Sequence, residues 1–150
     1  MRLGRSLVAR AVAARAVAAV AAAALAGCGE ATFEASHDSQ EQAASAVRTW
    51  LGACASEREE AILEPLPQAE RKRVTTAPGV VAGCEEVADL SPAPKPTTEQ
   101  LRELFRTSHV EHVVVDGGIG TAVLRAPDGR ISELDLEVDR GAWQLSNPPL

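Results

Sequence analysis

The spacing of apolar positions changes character along this chain. Ala43, Ala44, Val47, Trp50, Leu51 and Cys54 recur at intervals of three and four, which gathers them on one face of a helix. Ser39 with Gln42 offers a capping box at its start. Ser56 with Glu59 offers another, ahead of Ala61, Ile62, Leu63 and Leu66, and Pro65 and Pro67 break that helix. Pro67 to Val74 predicts a short helix with Pro in its first turn. After the turn Ala77-Pro78-Gly79, the residues Val80, Cys84, Val87 and Ala88 define a further helical face. The Pro-rich run 91–96 interrupts the chain, and Thr98 to about Thr107 carries Leu101, Leu104 and Phe105 on one more helix.

From His109 the period shortens to two. His109–Asp116 is Val-rich, Asp116-Gly117-Gly118 marks a tight hairpin, and Ile119–Arg125 reads as the next strand. Ala126-Pro127-Asp128-Gly129 is a second turn. Arg130–Val138 then alternates, with Leu134, Leu136 and Val138 on one face and Glu133, Asp135 and Glu137 on the other. Asp139-Arg140-Gly141 turns the chain into Ala142–Ser146, and residues 147–150 are a tail. Helices followed by an antiparallel meander predict an α+β domain, with N-terminal helices on a sheet of about four strands. The order excludes a doubly wound parallel sheet.

The N-terminus has a different character. Arg2, Arg5, Arg10 and Arg15 precede twelve uncharged, small or apolar residues, Ala16 to Gly27. A basic stretch followed by a short apolar one predicts a cleaved signal peptide over 1–27, because spanning a bilayer takes about 20 apolar residues. Leu25-Ala26-Gly27-Cys28 resembles the lipobox of bacterial lipoproteins. That resemblance implies cleavage before Cys28 and a diacylglyceryl thioether on its sulfur, with acylation such as palmitate on the amine. Ordinary cleavage near Ala26, leaving Cys28 a free thiol, is the alternative. Residues 28–40 are polar and aperiodic and read as a flexible tether, leaving 41–150 as the folded domain.

Charge sharpens this picture. The whole chain carries a formal net charge of -6, but the predicted signal takes four Arg and no acid. The remainder holds 11 basic and 21 acidic residues, a net charge of -10. Such a surface argues against nucleic acid as a partner. It also leaves the lipid, and not charge, to hold the protein to an anionic membrane.

The mature chain resembles small lipoproteins of high-GC Gram-positive bacteria with a nuclear-transport-factor-2-like (NTF2-like) domain. The matching parts are Trp50-Leu51-Gly52-Ala53-Cys54 ending a long helix, Cys84 thirty residues on, Val115-Asp116-Gly117, Thr121-Ala122-Val123 and Gly141-Ala142-Trp143-Gln144-Leu145. The resemblance implies a curved antiparallel sheet wrapped around helices, enclosing a cone-shaped cavity. Trp50, Trp143 and Leu136 are its candidate lining. The Pro-interrupted stretch 65–96 departs from the pattern.

With Cys28 assigned to lipid, Cys54 and Cys84 remain. Both sit on apolar helical faces, and export favours oxidation, so a disulfide is expected; two separate buried thiols are the alternative.

The remaining candidates for chemistry are thin. His109-x-x-His112 falls in a predicted strand, where such positions point to opposite faces, so no metal site is expected. Gly117-Gly118-Ile119-Gly120 has no helix after it to face a phosphate. Glu57, Glu59, Glu60 and Glu64 flank a helix start and read as a solvated face. Isomerase chemistry in an NTF2-like cavity needs a carboxylate base and oxyanion donors, typically including Tyr, and this chain has no Tyr. The expectation is a cofactor-free, non-catalytic binding or interaction domain, exported and lipid-anchored on the outer face of the cytoplasmic membrane. An envelope protein or a small apolar ligand would be its partner. A cell-envelope isomerase or hydrolase using the cavity is the alternative.

Overall fold

The computed structural model describes residues 29–146, with side chains from Ser39 onward. The predicted signal peptide, Cys28 and the tail 147–150 lie outside the described residues. Among the described residues five helices come first: α1 (Gly29–Ala55), α2 (Glu59–Leu63), α3 (Gln68–Thr76), α4 (Val80–Ala88) and α5 (Thr98–Thr107). Four strands follow: β1 (His109–Asp116), β2 (Ile119–Arg125), β3 (Ile131–Asp139) and β4 (Ala142–Ser146). They form one antiparallel meander in the order β1-β2-β3-β4. From Asp38 onward these elements make one compact unit. This is the α+β architecture the change of period predicts.

The helices form where their apolar faces can be covered. Ala43, Ala44, Val47, Trp50, Leu51 and Cys54 are all buried, as their spacing requires. The backbone is helical from Gly29, through the stretch whose composition predicts a tether. Glu, Ala and Gln there are good helix formers and no Pro interrupts them. Ser39 therefore lies inside α1 and caps nothing. At the other end Ser56 donates to the Gly52 carbonyl, and Arg58, at the N-cap position of α2, makes no side-chain cap. Instead Arg58 N–H bonds the Ala53 carbonyl and Glu57 N–H the Cys54 carbonyl, with Glu57 in the left-handed region at φ 53°. That is a Schellman closure with Glu where Gly is usual. Glu57 also pairs with Arg102 of α5, which ties the turn to a distant helix. Helix α5 itself begins with a full capping box, Thr97 with Gln100.

The sheet presents its inner face to α1, α4 and α5 residues in one buried cluster. Trp50 stands edge-on to Phe105 at 6.2 Å between ring centroids, in a cluster that includes Leu124, Leu134 and Leu145. Each such side chain contributes about 1.5–3 kcal/mol by leaving water. Two polar links fix helices to strands: Ser132 donates to the Ala88 carbonyl, and Leu145 N–H donates to the Pro65 carbonyl at 2.7 Å. Cys54 of α1 and Cys84 of α4 form a disulfide, both fully buried, with Cα atoms 6.2 Å apart.

Gly83 sits where α3 and α4 meet. A Cβ there would lie 2.5 Å from the Val74 Cα and 2.9 Å from its carbonyl oxygen, so only hydrogen fits. Gly83→Ala is expected to lower the unfolding free energy by roughly 1–3 kcal/mol, although Ala is the better helix former. Urea denaturation measures this; unchanged stability would mean that the two helices do not make this contact.

Candidate functional site

Among the described residues, helices and sheet share one cluster of buried side chains, and two clefts lie beside it. One cleft, about 290 Å³, lies between the middle of α1, the α2–α3 corner and β4. Trp50, Ala46, Ala61, Pro65 and Trp143 give it an apolar wall, and Glu64 and Gln144 stand at the polar side. Trp50 and Trp143, the candidates for lining a cone-shaped cavity, both line this flanking cleft. Leu136 does not: its row, Gly120–Leu136–Leu145, faces the filled interior and Leu136 is buried. The Trp50 indole N–H is buried with no acceptor. A buried donor without a partner is costly.

A second cleft, about 460 Å³, lies where the C-terminal half of α1 meets the α5–β1 junction. Leu51, Phe105 and Val110 form its apolar wall, and Arg48, Arg106, Ser108 and His109 its polar one. Sequence spacing gives no hint of it, because its residues come from segments some fifty positions apart.

The histidines depart from the strand expectation. The β1–β2 register shifts between Val110 and His112, pairing His109 with Arg125 and His112 with Val123. This bulge puts His109 and His112 on the same, exposed face, the one turned away from Ala122 and Leu124. The Arg125 guanidinium reaches Glu111, inside the bulge, at 2.7 and 3.0 Å. Those hydrogen bonds hold the exposed Glu111 carboxyl below the usual range. Among the described residues no three His, Cys, Asp or Glu side chains converge as metal ligands. Glu57, Glu59, Glu60 and Glu64 are exposed, with Glu57 engaged by Arg102.

Two other carboxylates are the unusual ones. Glu70 is buried, pairs with Arg73 at 3.4 Å and leaves one oxygen without a hydrogen-bond partner. Glu85, half-buried on α4, accepts the Ser91 N–H and also leaves one oxygen unpaired. Burial raises the Glu85 carboxyl above its ordinary range, Ser91 opposes this, and neighbouring Asp89 adds to it. Neither carboxylate lines either cleft. Among the described residues no helix is long and apolar enough to cross a membrane.

No family model, curated protein or solved structure matches this chain.

Glu85 makes stability depend on pH with a definite sign. Its folded-state pKa lies above the unfolded one, so its favourable share is complete in acid and is lost as pH rises through the folded value. Glu85→Gln keeps the acceptor for Ser91 and removes the charge. It should raise the melting temperature at about pH 7 and leave it nearly unchanged at about pH 3. Equal melting temperatures at both pH values would contradict the burial of that charge.

Proposed function

We propose that this protein is a lipoprotein of the cell envelope, held by lipid on Cys28 and presenting a non-catalytic binding domain. The observation that carries the reading is the placement of Leu25-Ala26-Gly27-Cys28 at the end of the Ala16–Gly27 apolar stretch. The pairing of the other two cysteines supports it: Cys54 and Cys84 are joined to each other, which leaves Cys28 for lipid. A buried disulfide suits an oxidising compartment, where exported proteins fold. Helices ahead of a four-strand meander support an NTF2-like arrangement, with the place of the open cone taken by Trp50, Phe105 and the inner-face leucines.

The cleft beside Trp50 and Trp143 is the binding site of this reading. Its wall suits a small apolar ligand. A non-catalytic role is supported by the placement of the ionisable groups. His109 and His112 share the exposed face of the sheet, and Asp116 and Asp139 end strands at turns. An inward base paired with an acid is what isomerase-type chemistry requires.

The anchor is tested by Cys28→Ala with membrane fractionation. The variant should appear in the soluble fraction while the unaltered protein sediments with membranes. A variant that stays membrane-bound and is cut at the same position overturns the lipobox reading.

A further inference from the structure

We infer that the cleft at the α5–β1 junction is a second binding site, for an organic anion with an apolar body, such as a medium-chain carboxylate. Four features converge there. The cleft encloses about 460 Å³, within the usual size for small-molecule sites. One wall, Leu51, Phe105 and Val110, is apolar. The same lining includes Arg48 and Arg106, in a chain whose predicted mature part holds nearly two acids for each base. Ser108, only 9% exposed, lines the same cleft, and its hydroxyl has no hydrogen-bond partner.

The arginines are available for this work. Arg48 engages Glu41 through Nη1 at 2.9 Å, and Arg106 engages Glu103 through Nη1 alone. A guanidinium has five N–H donors, so each retains most of its fork. Charge-assisted pairing of Arg with a carboxylate is among the stronger polar contacts. Ser108 Oγ, buried without a partner, would gain one from the same head group, while the apolar wall would cover the ligand's body.

A purely structural role for these residues makes a different prediction. α5 ends at Thr107 beside this cleft, with Arg106 in its last turn. Cationic side chains near helix C-termini favour the helix dipole. If that were their whole purpose, replacing them would reduce stability and leave ligand binding absent throughout.

Photocrosslinking separates the two. Decanoate bearing a terminal diazirine is added to the full chain at neutral pH, irradiated, and the labelled peptides are mapped by mass spectrometry. Labelling should fall on residues 51–55 and 105–110, and excess decanoate should abolish it. Decanol and inorganic phosphate, each carrying half of the required chemistry, should compete at least tenfold less well. Arg48→Gln with Arg106→Gln should reduce labelling at least tenfold. Both arginines are exposed, so this double variant is expected to fold, and its melting curve checks that. Ser108→Ala should weaken labelling several-fold without lowering the melting temperature, since it removes an unpaired hydroxyl. Labelling elsewhere, labelling indifferent to the arginines, or competition by decanol as strong as by decanoate would overturn the inference.

Discussion

The covalent link between Cys54 and Cys84 is the constraint around which the helical half is arranged. It joins the last turn of α1 to the middle of α4 across the Pro-interrupted stretch that holds α2 and α3. Those two helices are short, and α2 has only five residues, too few to be stable alone. Closing a loop of this size removes roughly 3–4 kcal/mol of disorder from the unfolded chain on the chain-entropy account. That is a large share of the stability of an ordinary small domain. With α1 and α4 fixed, α3 packs against α4 at Gly83, and the Ala88 carbonyl is positioned for Ser132 of the sheet. The disulfide thereby acts on the sheet as well, through one hydrogen bond beyond the helix it clamps.

A chain with only two Trp, two Phe and no Tyr has few large side chains to close a core. It places Trp50 and Phe105 at the centre and completes the layer with aliphatics. Among the described residues, two clefts lie beside this core. Trp50 belongs to the lining of one and Phe105 to that of the other. One cleft is apolar with a single unpaired donor, the other apolar with a cationic rim. The two therefore suit different chemistries.

Most of the element order is legible from the apolar periods, because burial of one face is what makes each helix and strand form. The strands are bounded by Gly- and Pro-bearing turns that leave few alternatives. Arg140 and Gly141 at positive φ, for example, complete the last hairpin. What the periods do not carry is local closure by long-range partners. Ser56-x-x-Glu59 resembles a cap, yet Glu57 adopts the left-handed turn and is held there by Arg102, forty-five residues away. Conversely, Thr97-x-x-Gln100 is a readable capping box that Pro96 obscures. The His109–His112 geometry is inverted by a one-residue bulge, which alternation alone does not reveal. The Trp50–Trp143 cleft is partly legible, since both Trp lie on apolar faces. The Arg48–Ser108 cleft is not, because it exists only once α1 and the α5–β1 junction are adjacent.

The central claim is a division of labour among three cysteines: one carrying lipid and two joined in the core. Intact mass spectrometry of the protein extracted from its own membranes, alkylated without reductant, tests it directly. The expected product is a chain beginning at Cys28, heavier by its acyl groups, with no alkylated thiol. A chain that retains residues 1–27, or that takes up alkyl groups at Cys54 and Cys84, would contradict it.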